Sequence, residues 1–244
     1  TTAVDQAFPL TVSNTDADSH TYIKYLDQGG QYWTTGINYA SNDFVMAYGG
    51  TNVAVFANAG GLTITSADNL AQLTLVSTDA DAGIGPHQVY YRNSSSPADN
   101  DLLAEIDHRG RNDNSQDVDY VTVNIFAEDV SDGTEDGRYL LQTKKAGATV
   151  SRMDTNSTET IFNDDSVDLD FRVESDNLTH ALFVEGSSGN VMVGKSTTAI
   201  GTAGVAIGAA GFVTITRSGA TVLNLNRTSS DGSVMDIYRG GTLN

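Results

Sequence analysis

Signals for tight turns recur at short intervals along this chain and limit most regular elements to a short length. They include Asp27-Gln28-Gly29-Gly30, Gly49-Gly50, Gly60-Gly61, Asp132-Gly133, Asp136-Gly137, Gly189-Asn190 and Asp231-Gly232. Gly and Asn suit these places because two-residue hairpin turns need positive φ. Between them the best helical candidate is a turn or two around Ala67-Asp68-Asn69-Leu70-Ala71-Gln72, too short to be stable alone. The other runs alternate. Asp119, Val121, Val123 and Ile125 interleave with Tyr120, Thr122, Asn124 and Phe126, which predicts one strand with two distinct faces. Phe171-Val173, Ala181-Phe183 and Val191-Val193 are further short strands. The expected fold class is all-β, built from short antiparallel-strand modules.

The chain also repeats itself. Pro9-Leu10-Thr11-Val12-Ser13-Asn14-Thr15-Asp16-Ala17-Asp18 returns as Gln72-Leu73-Thr74-Leu75-Val76-Ser77-Thr78-Asp79-Ala80-Asp81, and more loosely from Val222 to Asp231. A second element places two apolar residues around one position: Gly61-Leu62-Thr63-Ile64, Asn190-Val191-Met192-Val193, Gly204-Val205-Ala206-Ile207 and Phe212-Val213-Thr214-Ile215. The first element opens a module and the second closes it. This predicts an N-terminal β module over 1–69, a larger one over 70–198, and a glycine-rich shaft segment with the start of an incomplete module over 199–244. The chain accordingly reads as a segment of something longer. Short β units of this kind bury a face only by stacking on neighbours or on other chains. Residues 199–211 carry no charge and consist of small and β-branched side chains. On a monomer surface such a stretch is an aggregation hazard. Wound with two copies of itself around a three-fold axis it fills a narrow core, and closed symmetry leaves no open edge. One more strand in a monomeric sandwich is the alternative.

The net charge is −18, from 31 acidic and 13 basic side chains. Such a surface repels phosphate backbones and anionic membranes, so neither nucleic acid nor membrane is an expected partner. With no Cys there is no disulfide and no thiolate metal site. No apolar run approaches the roughly 18 residues needed to cross a bilayer as a helix.

Several motifs carry chemistry on paper. Gly189-Asn190-Val191-Met192-Val193-Gly194-Lys195-Ser196 matches a phosphate loop in form, but its middle is a strand pattern and no helix follows to hold phosphate. His20, His87, His108 and His180 are too widely spaced to ligate a metal. The Asp-rich stretches 113–119 and 128–137 do not match a calcium loop, so no metal and no cofactor is expected. A polysaccharide-cleaving site needs two carboxylates at a set separation. Glu105, Asp107, Asp119 and Glu128 are candidates, though 31 acidic residues guarantee pairs by abundance, and a non-enzyme is expected. Tyr22, Tyr25, Tyr32, Trp33 and Tyr39 crowd one span with the only Trp of the chain. They are the candidate binding residues, suited to stacking on sugars. Their interleaving with apolar residues favours a core or subunit interface instead.

The runs Asp170-Phe171-Arg172-Val173-Glu174-Ser175, His180-Ala181-Leu182-Phe183-Val184-Glu185-Gly186 and Gly189-Asn190-Val191-Met192-Val193-Gly194 resemble the shaft repeats of bacteriophage tail-fibre and tailspike proteins. The Leu73-Thr74-Leu75 element and Asn224–Gly232 resemble repeats that precede a C-terminal chaperone in such fibres. Together these cover about half the chain. Met192 and Lys195 depart from the Gly and Thr usual in the closing element. The resemblance implies an elongated, extracellular homotrimer with intertwined triple-β shaft segments. It further implies a virion part that contacts other virion proteins and a host surface glycan. Residues 82–165, with longer strands, are a second candidate for receptor contact. A capsid-decorating or head-fibre protein, a bacterial adhesin and a polysaccharide depolymerase are the competing readings.

Overall fold

The computed structural model describes residues 21–26, 32–38, 40–229, 231–239 and 242–243. These residues contain strands and no helix. The chain divides into two compact units, 1–88 and 89–244, each taken by itself below.

In the first unit β1 (Thr21–Leu26), β2 (Tyr32–Ile37), β3 (Phe44–Tyr48), β4 (Thr51–Phe56) and β5 (Leu62–Ile64) form an antiparallel meander in chain order. Gly49 and Gly50, with φ of 57° and 86°, close the β3–β4 hairpin as the sequence predicts. Strand pairing aligns Tyr25, Trp33 and Tyr48 in one row and Ile37, Phe44, Phe56 and Leu62 in another, on the same face. That face is exposed, with Tyr25 at 55% and Leu62 at 56%. Val45 and Ala47 lie on the opposite face and are buried. The helical turn expected at 67–72 does not form. Ser66 Oγ and Asp68 Oδ1 instead accept the backbone N–H groups of Asp68 and Leu70, local bonds that compete with helix.

The second unit opens with five longer strands. These are β6 (Asp101–Arg111), β7 (Asp117–Asp129), β8 (Asp136–Lys145), β9 (Ala148–Thr155) and β10 (Thr160–Phe162), again in meander order. Asp136-Gly137, expected as a turn, lies inside β8, where Gly137 pairs with Ala127. The β8–β9 turn is Ala146-Gly147, both at positive φ (48° and 85°). One face of this sheet is mainly apolar: Ile106, Val121, Val123, Ile125, Leu141, Val150 and Met153 share it by register, with His108 and Thr143 in the row of Val121. The other carries Asp107, Thr122, Asn124 and Gln142. A bulge between His108 and Arg109 leaves Tyr120 unpaired and sets Asp119 opposite Arg109. Asp119 therefore joins the face of Thr122 and not that of Val121, a departure from simple alternation. At the free edge of β9, Asp165 Oδ2 accepts the Ser151 N–H at 2.6 Å. That bond occupies a backbone donor and so removes it from pairing with another strand.

Next come β11 (Phe171–Val173), β12 (Leu182–Val184), β13 (Val191–Val193), β14 (Gly204–Ile207) and β15 (Val213–Thr216), a third five-stranded meander. The register gives two rows, Phe171-Val184-Val191-Ile207-Val213 and Val173-Leu182-Val193-Val205-Ile215. Both rows lie on one face, and every member is apolar. Phe183, Met192 and Ala206 alternate with them onto the other face, where they are buried as one cluster. The apolar rows stay open: Val193 is 45%, Ile207 46% and Val213 64% exposed. Phe162 of the preceding sheet meets Phe171 at 5.0 Å between ring centroids, so the two apolar faces join there. A two-stranded ribbon, β16 (Tyr238–Arg239) with β17 (Thr242–Leu243), completes the described strands.

Of the repeats expected to open modules, Pro9–Asp18 lies outside the described residues and the other two behave differently. Gln72–Asp81 and Val222–Ser229 form no strand with any described residue. Leu73 is 63% and Leu223 55% exposed.

Candidate functional site

The five aromatic candidates do not gather into one patch. Tyr25 and Trp33 pair directly across β1 and β2, and Trp33 meets Tyr48 at 5.3 Å with rings tilted by 46°. Tyr22 and Tyr32 alternate onto the opposite face, where Lys24 Nζ lies 3.9 Å from the Tyr32 ring centroid. Tyr39 lies outside the described residues. Strand alternation separates residues that are close in sequence. What remains on one side is Tyr25, Trp33 and Tyr48, continuous with Phe44 and Phe56.

A different set converges on the polar face of β6–β9. There a groove of about 720 Å³ is floored by Thr122, Asn124 and Gln142. Asn124 is only 8% exposed and donates from Nδ2 to Gln142 Oε1 at 3.3 Å. Thr122 Oγ1 donates to Asp107 Oδ1 at 3.1 Å, and Lys144 Nζ donates to Thr149 Oγ1 at 2.8 Å. At one end Arg109 grips Asp119 with two hydrogen bonds, of 2.5 and 3.1 Å. These bonds hold the Asp119 carboxyl below the usual carboxylate range and raise the guanidinium correspondingly. Tyr120, unpaired at the bulge, is 43% exposed beside them.

Three of the four carboxylates expected as glycosidase candidates, Glu105, Asp107 and Asp119, line this groove. Glu128 does not: its Oε2 accepts the Ser157 N–H at 2.9 Å. Asp119, kept ionised by Arg109, suits an acceptor of hydrogen bonds and not a general acid. Sequence periodicity marks Thr122 and Asn124 as one face of a strand. Gln142, Lys144 and Thr149 join them only through the pairing of β7, β8 and β9.

The remaining motifs are occupied by local structure. Lys195, the would-be phosphate-loop lysine, is 4% exposed and donates to the carbonyls of Ala199 and Thr202 at 2.9 and 3.0 Å. It ties down its own loop. In the acidic turns, Asn112 Oδ1 accepts from the N–H groups of Asn114 and Gln116, and Asp129 Oδ1 accepts from that of Ser131. The Ser131 bond lowers the pKa of Asp129. His180 packs edge-on against Phe183, and His108 sits within β6. Among the described residues no three His, Asp or Glu side chains form a metal-holding group. No helix among them is long and apolar enough to cross a membrane. No family model, no curated protein and no solved structure matches this chain.

Proposed function

We propose that this chain is a structural and adhesive segment of a homotrimeric, extracellular viral fibre of the bacteriophage tail-fibre kind, involved in attachment to a host surface. The observation that carries the reading is the open apolar face of β11–β15, two cross-strand rows of five apolar side chains without a polar interruption. A single-layer sheet loses the hydrophobic stabilisation of such a face unless something covers it, at roughly 25 cal/mol per Å². Contiguous exposed apolar area of this kind marks an interaction surface.

The cover we assign is further copies of the same chain. Residues 196–216 carry no charge, so identical chains approach there without the repulsion expected elsewhere from a net charge of −18. The contact of Phe162 with Phe171 extends the same apolar surface over β6–β10, so one partner covers both sheets. The repeats at 72–81 and 222–229 retain a strand pattern but form no strand with any described residue, which suits strand pairing between copies. Three copies is the number that the resemblance to fibre shafts implies. Tail-fibre identity, as against a head fibre, a bacterial adhesin or a depolymerase, rests on that resemblance.

The test is the solution mass by light scattering on a sizing column. A particle of three chains of 25.8 kDa supports the reading. Two chains, stacked as a sandwich, would retain the interface and overturn the trimer; a monomer would overturn both.

A further inference from the structure

We infer that the groove on the polar face of β6–β9 is a binding site for a neutral oligosaccharide. The inference deepens the attachment role proposed above by naming the ligand class and assigning it to the second unit instead of the aromatic sheet of the first.

The chemistry of the lining selects the ligand. Pockets for apolar small molecules are mostly hydrophobic, with few polar groups. Here the floor is a hydroxyl and two primary amides, Thr122, Asn124 and Gln142, and the walls are carboxylates facing Lys144. Each of these groups keeps donor or acceptor capacity beyond its bond within the protein, and an apolar ligand would shut that capacity off from water, at a cost of roughly 1–3 kcal/mol each. A sugar hydroxyl both donates and accepts, so amides, carboxylates and an ammonium all find a bond on a polyol. Tyr120, exposed at the bulge, offers a ring face for the C–H side of a pyranose.

Charge narrows the class. Asp119 and Asp117 are paired with Arg109 and Arg111. Arg109 also lies 3.7 Å from Asp107, yet Glu105, Asp107, Asp117 and Asp119 together still outweigh Arg109, Arg111 and Lys144, and that balance disfavours ligands rich in carboxylate, sulfate or phosphate. The groove is also preorganised. Asp107, Asp119, Asn124 and Lys144 are each held by a bond within the protein before any ligand arrives, which lowers the entropy lost on binding. The bulge matters here as well, because plain alternation would have turned Asp119 to the apolar face. A shallow open groove of this kind predicts weak affinity per copy. Several copies in one particle would compensate by avidity.

The experiment uses the full chain and saturation-transfer NMR with maltohexaose, cellohexaose, mannohexaose and chitohexaose, and an oligogalacturonate as the anionic comparison. At least one neutral member is expected to bind with a Kd of about 1 mM or tighter. Gln142→Ala, and separately Tyr120→Ala, should weaken it about tenfold or more with unchanged circular dichroism and particle mass. If no neutral member binds, if only the anionic one does, or if both variants bind like the parent, the inference falls. Particle mass, read on the same samples, keeps this outcome separate from the assembly proposal: a trimer that binds no sugar sinks the groove alone.

Discussion

The two sheets of the second unit differ in what holds them. Strands β6–β9 run 8 to 13 residues, and backbone ladders, three bulged pairings and cross-strand ion pairs act along their whole length. Their polar face is fully worked: Arg138 donates to Asp154 at 2.8 Å through Nε and again through its other nitrogen, while Asp154 is 1% exposed. Strands β11–β15 are three or four residues long and have little ladder to rely on. They depend on side chains: the Phe183, Met192 and Ala206 cluster on one face, and apolar rows left open among the described residues on the other. Long strands can leave a face polar and available for a ligand. Short ones need both faces buried, and here the described residues bury only one.

The largest effect should come from placing a charge on the open rows. Ile207 is 46% exposed in the single chain, so Ile207→Asp should leave the chain folded and dissociate the particle, since burying an unpaired carboxylate in an apolar interface costs several kcal/mol. Light scattering that still returned the parent mass would remove β11–β15 from the interface. Met192→Ala empties part of the covered face. Met192 is fully buried, and the expected loss is about 2–5 kcal/mol of stability, measured by denaturant unfolding. A loss near zero would mean that the short-strand sheet does not depend on this cluster.

A smaller effect is expected in the long-strand sheet. Asp154→Ala leaves Arg138 without its partner. The cost should be about 2 kcal/mol, below that of a fully buried pair, because the Arg138 side chain keeps 30% of its area in solvent. If this variant destabilised more than Met192→Ala, the contrast between polar and apolar support would be reversed.

The smallest effect is electrostatic. Arg109 hydrogen-bonds Asp119 and depresses its pKa. A carboxyl depressed in the folded state stabilises at pH above its unfolded value, near 3.9. That contribution fades as pH falls through the folded value, below the ordinary range. Arg109→Ala should therefore raise the Asp119 pKa in a carboxyl NMR titration, with little change elsewhere. An unmoved titration would show that the pair does not persist in solution.

Much of the strand framework was legible in residues. Val191-Met192-Val193 and Gly49-Gly50 took the forms expected, because alternation and positive φ are local properties. Asp136-Gly137 misled because a Gly inside a strand and a Gly in a turn look alike without the partner strand. The glycan candidates Tyr22 and Tyr25 fell on opposite faces by the same period-two rule that marks a strand.

By itself the amino-acid order determined an all-β chain, the places of most turns and the alternation of each strand, since these depend on neighbours along the backbone. Tertiary structure alone decided that Asp119 crosses to the polar face, that Gln142 and Lys144 line one groove with Thr122, and that the apolar rows of β11–β15 stay open among the described residues. Those outcomes depend on register, bulges and pairing between distant strands, which single-strand periodicity does not encode.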